Sequence, residues 1–192
     1  MANVALLLLC YHDDLDANQH DPRTDVVVEA SSVLPVLWCS VFTVDDIRAC
    51  PVESAEGERT VCPMLITPSD KARRRAWERR QRFADVFPAT FQAVYQEWLD
   101  LLDGIEAPYL MLSMVEIWGL DDDHASFDAF LAASLHAFET DAADDWSELL
   151  GQYPSMSYDA NSTRVSVVED YADYLRHDLH GYGCMRPVPW AE

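Results

Sequence analysis

Continuous apolar stretches mark the strand candidates of this chain. Residues 4–11 and 26–28 are rich in Leu and Val, a pattern typical of strands that are covered on both faces. Residues 61–67 form a shorter apolar stretch, in which Pro63 favours an edge strand. Residues 109–118 are almost entirely apolar, and their length favours a central strand over a helix. The pattern therefore predicts about four strands.

Between these strands, apolar residues recur at the spacing of amphipathic helices. The clearest case covers residues 91–102, where the apolar positions are Phe91, Val94, Tyr95, Trp98, Leu99 and Leu102. A helix over residues 69–87 precedes it and begins at Ser69, a residue suited to helix capping. The same spacing predicts further helices over residues 31–42, 124–138, 140–150 and 165–180.

The order of these elements predicts one α+β domain over residues 1–192, with about four strands in a mixed sheet packed with about six helices. A chain of this length buries roughly 70% of its unfolded surface when it folds. The polar stretches over residues 12–24, 43–60 and 152–163 are predicted to be loops.

The cellular location follows from the N-terminal stretch and the cysteines. The apolar run over residues 4–10 is short and no Lys or Arg precedes it, so we interpret it as a buried strand rather than a secretory signal. No stretch approaches the roughly 20 apolar residues that cross a bilayer. The five cysteines include no Cys-x-x-Cys pair, which favours a reduced, cytoplasmic protein.

The chain is strongly acidic. Its 34 Asp and Glu against 13 Lys and Arg give a formal net charge of −21. Such a surface repels nucleic acids and anionic membranes, because contacts with phosphates need Lys and Arg. It attracts basic proteins and accelerates their encounter at low salt. The alternative is that the charge serves solubility alone.

The few basic residues are unevenly placed. Residues 71–82, from Lys71 to Arg82, hold seven of them, whereas residues 83–163 contain none and carry 16 Asp and Glu. Such a basic helix is compatible with RNA binding. An internal counter-charge is the preferred interpretation, since Asp70, Glu78 and Asp85 lie within helical reach of these arginines.

An acidic segment over residues 121–148 is the predicted partner-binding surface. Nine carboxylates fall within these 28 positions without a single base. Trp146 and Tyr153 are interpreted as amphipathic anchors of the kind that carry interface energy. The alternative is that both aromatic residues belong to the core and the acids are merely solvated. The predicted partner-binding residues are Asp121, Asp122, Asp123, Asp128, Asp141, Asp144, Asp145, Trp146 and Glu148.

A calcium site is a weaker candidate. Oxygen ligands stand at positions 1, 3, 5 and 12 of a loop of the EF-hand type, namely at Asp14, Asp16, Asn18 and Asp25. However, Gln19 replaces the glycine that the sharp turn of such a loop requires, and Asp25 is shorter than the usual bidentate Glu. An acidic surface loop is the alternative interpretation.

Enzymatic chemistry finds little support in the sequence. The chain lacks the Gly-x-Ser-x-Gly nucleophile motif and any glycine-rich phosphate loop. His177 and His180 are three residues apart, whereas helical zinc sites place their ligands four apart, so we interpret them as a solvated pair at a helix end. A metal-assisted hydrolase that uses residues 12–25 stays open as an alternative. No cofactor is predicted.

Both ends of the chain resemble a small, uncharacterised family of bacterial proteins. The residues that carry this resemblance are Met1, Ala2, Asn3, Glu29, Ala30, the run Leu34, Pro35, Val36, Leu37, Trp38 with Phe42, and near the end Gly181, Tyr182, Gly183, Arg186, Pro187, Val188, Pro189 and Trp190. In general character the chain is also similar to the immunity proteins that neutralise secreted toxins. The latter resemblance implies a non-enzymatic inhibitor of a basic toxin, and a toxin that targets nucleic acid is one candidate. A scaffold protein without a catalytic role is the further alternative.

Overall fold

The computed structural model describes residues 4–13, 26–53, 59–119, 124–140 and 143–183, and they form an α+β structure, as predicted. The strands in this part of the chain are β1 (Val4–Cys10), β2 (Val26–Ser31), β3 (Ile47–Glu53), β4 (Arg59–Pro68), β5 (Tyr109–Ser113), β6 (Met156–Asp159), β7 (Arg164–Val167) and β8 (Tyr182–Gly183). Six of them form one sheet in the order β3-β4-β5-β1-β2-β8, and β6 and β7 form a separate hairpin.

The helices are α1 (Ser69–Val86), α2 (Gln92–Asp103), α3 (Val115–Trp118), α4 (His124–His136), α5 (Ala143–Leu150) and α6 (Leu175–His180). Four short 3-10 helices accompany them in the described residues, at Val36–Ser40, Val44–Asp46, Ala89–Phe91 and Glu169–Tyr174.

The larger sheet has more strands than predicted, and its described pairings are all antiparallel, so the prediction of a mixed sheet is wrong. The apolar strands β1 and β5 occupy its middle, where Leu7 lies opposite Leu112 and Leu9 opposite Leu110. These four leucines share one face and join the main core. A continuous apolar run therefore marks a strand that is buried on both faces, but it does not determine the direction of its neighbours.

Helices α1 and α2 cover the main-core face of the sheet with the apolar residues that the spacing predicts. The ring of Phe83 stacks on Phe87 at 4.1 Å and lies 4.7 Å from the ring of Tyr95. The hydroxyl of Tyr95 donates a hydrogen bond to the carbonyl of Ala76 at 2.7 Å, which ties α2 to α1. The opposite face carries a smaller cluster that includes Leu8 and Met111.

The segment over residues 31–42 was predicted to be an α-helix, and this is wrong. Only Val36–Ser40 is helical, as a short 3-10 helix, and all five of its residues are buried. The carbonyl oxygens of Cys39, Ser40, Val41 and Phe42 accept hydrogen bonds from arginines of α1. The last carbonyls of a helix have no partner within it, and here the arginines supply the missing donors.

Five polar or mixed segments also differ from their predictions. The predicted loop over residues 152–163 contains β6, and residues 61–67, predicted to be an edge strand, belong to β4, which pairs with both β3 and β5. The predicted loop over residues 43–60 contains β3, where Pro51 is tolerated because β3 is the edge strand of the sheet. Residues 109–118 divide into β5 and α3. The predicted helix over residues 165–180 is helical only in its second half, since β7 occupies its beginning and pairs with β6.

Candidate functional site

Only part of the predicted partner-binding surface lies within the described residues. Asp128 on α4 and Glu148 on α5 are exposed, and these two helices pack against each other. Asp145 is half-buried and accepts a hydrogen bond from the hydroxyl of Thr140 at 2.9 Å. The side chain of Asp144 lies outside the described part of the structure, as do Asp121, Asp122, Asp123 and Asp141, and the proposed metal ligands Asp14, Asp16, Asn18 and Asp25.

The aromatic anchors predicted for this surface are core residues. Trp146 is 1% exposed, and its ring lies 5.0 Å from that of Phe138 and 5.8 Å from that of Phe87. Tyr153 is also buried, and its hydroxyl donates to the carbonyl of Leu34. The interpretation of Trp146 as an exposed anchor is therefore wrong, because its contacts hold α5 against the core.

The basic residues of α1 are largely directed into the protein. Arg75 donates hydrogen bonds to the buried carboxylate of Asp46, to the hydroxyls of Thr43 and Thr67, at 3.0 and 3.1 Å, and to the carbonyl of Val41. Asp46 is 3% exposed and also accepts from the backbone N–H of Thr43 at 2.9 Å. This carboxylate therefore links α1 to the 3-10 helix Val44–Asp46.

Arg79 is the most deeply buried of these arginines. Its guanidinium donates to the carbonyls of Ser40 at 2.8 Å and Phe42 at 2.7 Å, and it pairs with Glu139 at 2.5 Å. Burial lowers the pKa of Arg79, and the neighbouring Glu139 opposes that shift. The bases of α1 thus act as an internal counter-charge, as expected, but their partners are distant residues and backbone carbonyls rather than the helix's own acids.

Of the other bases of α1, Arg73 donates to the carbonyl of Ile105 at 2.9 Å, whereas Arg74 and Arg80 lie on the outer side of the helix. Arg74 lies 4.0 Å from Glu78 one turn away, and the guanidinium of Arg80 lies 5.8 Å from the ring centre of Trp77. Trp77 is 45% exposed at the edge of a hollow of about 480 Å³ between α1 and α2. Glu78 also lines this hollow, so the outer side of α1 presents mixed charge rather than a basic stripe.

The inward-directed arginines leave an acidic exterior. Among the described side chains whose exposure is defined, 16 Asp and Glu are exposed, against four Arg. The exposed acids lie on α1 to α5 and on the connecting segments rather than on one helix pair alone. Charge by itself therefore does not single out a docking site.

The 3-10 helix Glu169–Tyr174 is the feature that the sequence analysis missed. Its sequence is Glu-Asp-Tyr-Ala-Asp-Tyr, and none of its six residues is buried. Tyr171 and Tyr174 are 45% and 55% exposed, and their ring centres are 6.4 Å apart. A signal was present, since a carboxylate precedes each of the two tyrosines. Tyr171 itself has a non-helical backbone, with φ −121° and ψ 15°, so the segment is kinked there. The helical spacing of Val168, Tyr171, Leu175 and Leu179 concealed the signal.

His177, Asp178 and Ser155 lie together, but not in the arrangement of a catalytic triad. The hydroxyl of Ser155 donates to Asp178 rather than to the histidine, and Nδ1 of His177 lies 3.4 Å from the same carboxylate. The backbone N–H of Ser31 donates to Nε2 of His177 at 3.1 Å, which occupies the nitrogen that a nucleophile would need. This network therefore joins α6 to β2 and to the hairpin.

His180 is fully buried, so the prediction of a solvated histidine pair is wrong. Its Nδ1 lies 3.1 Å from the carbonyl of Arg176, and its own carbonyl accepts from the indole N–H of Trp38 at 2.9 Å. Burial lowers the pKa of His180 to about 4. The neutral imidazole is therefore the form that the folded protein holds at pH 7.

Acidification should consequently destabilise the protein through His180. The unfolded chain protonates this residue near pH 6.5, but the folded protein does so only near pH 4, so stability is lost as the pH falls between these values. We expect this one residue to contribute a loss of about 3 kcal/mol. Urea unfolding of the wild type and of His180→Gln at pH 7.5, 6.0 and 5.0 measures it. The free energy of unfolding of the variant should fall less steeply with decreasing pH than that of the wild type. An identical pH dependence would contradict the role of buried His180.

Within the described ranges, no group of three or more His, Cys, Asp or Glu side chains has the arrangement of a metal site. None of the helices there combines the length and the apolar character that crossing a membrane requires.

Comparison with known proteins identifies no relative of this chain. The chain matches no family model, no curated protein and no solved structure. Its function must therefore be argued from the charges and contacts of its own residues.

Proposed function

We propose that this chain is a non-enzymatic, acidic protein that binds a basic protein partner, and that it acts as an immunity-type inhibitor of a basic toxin. The observation that carries the proposal is the inward direction of the arginines on α1. Because Arg75 and Arg79 are engaged inside the fold, the exterior is left with exposed carboxylates in large excess.

Physical chemistry favours a basic protein over other partners for such a surface. A strongly negative exterior attracts positive patches, raises association rates at low salt and rejects like-charged partners. Nucleic acids and anionic membranes are repelled, since their phosphates need exposed Lys and Arg. A toxin that grips nucleic acid through its own Lys and Arg offers the complementary surface, and the resemblance to immunity proteins supports this class of partner.

The exposed arginines are also largely engaged by neighbouring groups. Of the four that are exposed among the described side chains, Arg74 lies near Glu78, and Arg176 pairs with Glu97 at 3.2 Å. Arg48 donates to the backbone carbonyls of Asp45 and Ile47. Most of the exposed positive charge is therefore engaged locally, which leaves the carboxylates to dominate the field that an approaching protein meets.

Affinity capture from a lysate of the source organism tests this proposal. The immobilised chain should retain a basic protein in stoichiometric amount at 50 mM salt and release most of it at 500 mM salt. An unrelated acidic protein of similar net charge serves as the control bait and should not retain the same protein. Absence of any basic protein specific to this chain, or retention that does not depend on salt, would contradict the proposal.

The inhibitor role requires a second measurement with the captured protein. Its expression alone should stop bacterial growth, and co-expression of this chain should restore it. Growth that is unaffected by the captured protein would leave a binding protein without an immunity role.

A further inference from the structure

The 3-10 helix Glu169–Tyr174 stands out among the described helices by its exposure. Every other helix in the described part of the chain, α or 3-10, buries at least one residue. This one buries none, although it carries two of the chain's large aromatic side chains. Tyrosine is enriched in protein interfaces because it offers a large apolar face and a polar tip. An exposed tyrosine pair on an otherwise uncovered helix indicates an interaction surface.

This helix is nevertheless held firmly at both ends. Before it, the backbone N–H of Val168 donates to the carbonyl of Ser155 at 2.9 Å. After it, α6 is fixed by the contacts of Asp178 with Ser155 and of His177 with the backbone of Ser31. A surface that is ordered before binding loses less conformational entropy when a partner docks, and tyrosine side chains have few torsions to restrict.

The charges around the two rings decide what kind of partner fits. Glu169, Asp170 and Asp173 are all exposed on the same six residues. The next base along the chain, Arg176, is engaged with Glu97 of α2. An apolar peptide would strip water from these carboxylates without pairing them, and a phosphate would be repelled. A guanidinium fits both the tyrosine rings and the carboxylates, because it stacks on aromatic faces and binds carboxylates through two parallel hydrogen bonds.

We propose that Glu169–Tyr174 is the docking site for an arginine-bearing segment of the basic protein partner, with the guanidinium on the rings of Tyr171 and Tyr174 and its donors on the flanking carboxylates. The site rests on the proposed function for the existence of such a partner. It places the aromatic contribution to binding here, not on α5, where Trp146 is buried.

A short peptide, acetyl-Arg-Gly-Arg-amide, is the probe that tests the site without an identified partner. Titration followed by amide chemical shifts in NMR spectra should give the largest changes within residues 169–176. The matching Lys peptide should bind more weakly, because an ammonium does not stack as a guanidinium does. Shifts that are largest on α4 and α5, or spread evenly over the acidic surface, would overturn the proposal.

Two pairs of variants separate this site from the general negative field. Tyr171→Ser with Tyr174→Ser removes both rings and should weaken binding about tenfold, whereas the corresponding Phe variants keep the rings and should bind within about twofold of the wild type. Glu169→Gln, Asp170→Asn and Asp173→Asn together should also weaken binding about tenfold. The control set Asp100→Asn, Asp103→Asn and Glu106→Gln makes the same change in net charge on exposed residues elsewhere.

An equal loss of peptide affinity in the two triple charge variants would overturn the site, because it would show that only net charge matters. An equal loss of peptide affinity in the Phe and Ser variants would show that the guanidinium does not stack on the rings. Neither result would contradict the proposed function. That function would fail separately, if the capture experiment retained no specific basic protein. Thermal unfolding of each variant, with a midpoint close to that of the wild type, establishes that the compared proteins are folded.

Discussion

Replacing Arg79 by alanine should lower the free energy of unfolding by about 3–5 kcal/mol, mainly because two buried carbonyl oxygens lose their donor. The side chain is 9% exposed, and it is the hydrogen-bond donor for the carbonyls of Ser40 and Phe42. These oxygens lie in a buried segment that does not form a regular helix. Each one costs about 1–3 kcal/mol when it is left buried without a donor.

The lost backbone contacts should outweigh the lost ion pair. The side chain of Glu139 is 31% exposed, so water can solvate its carboxylate after Arg79 is removed. Glu139→Gln, which keeps Arg79 and its carbonyl contacts, should therefore cost less than Arg79→Ala. Urea unfolding followed by tryptophan fluorescence measures both variants, because Trp38 and Trp98 lie next to the affected segment.

Arg74→Ala is the matched control on the same helix. Its side chain is 60% exposed and pairs with Glu78 only at the surface, so its removal should change stability by no more than about 0.5 kcal/mol. Similar losses for Arg74→Ala and Arg79→Ala would show that Arg79 does not organise the interior.

The role of Arg79 was accessible from the sequence in principle. Ala72, Ala76 and Phe83 form the apolar stripe of α1, and Arg79 falls on that stripe at helical spacing. A base inside an apolar stripe indicates either a buried pair or a side chain that reaches past the core. Its partners could not be predicted, because the contact between Arg79 and the carbonyls of residues 39–42 depends on long-range packing of that segment against α1.

The same limit applies to residues 165–180, which the sequence pattern predicts to be one helix. The apolar residues of this segment recur at helical spacing, yet β7, the 3-10 helix Glu169–Tyr174 and α6 divide it between them. Pairing of β7 with β6 satisfies the backbone at the start of the segment, and the network of Asp178 with Ser155 fixes its end. Both are long-range contacts, which periodicity within one segment does not encode. The helices α1, α2, α4 and α5 were predicted correctly because packing of their own apolar residues sets their positions.

Gly181 marks the point where α6 must turn sharply into β8, and Gly181→Ala should be strongly destabilising. Its φ of +79° is a conformation that residues with a Cβ rarely adopt. An added Cβ would lie 2.5 Å from the carbonyl oxygen of Glu29 and 2.9 Å from the ring of Trp38. Glu29 is held in place by pairing with both β1 and β8, so its backbone cannot move aside without disturbing the sheet.

The backbone strain and the contact with Glu29 together should lower the free energy of unfolding by about 3 kcal/mol or more. For a chain of this length, that loss corresponds to a fall of roughly 6–12 °C in the unfolding midpoint, which calorimetry measures directly. Gly104→Ala is the matched control, since Gly104 has a helical φ of −78° and an added Cβ would lie 3.4 Å from the nearest atom. We expect that variant to be neutral or stabilised by up to about 1 kcal/mol. If both alanine variants unfolded at the wild-type midpoint, the close approach of Gly181 to β2 would not be what holds α6, and with it the tyrosine-bearing helix, against the sheet.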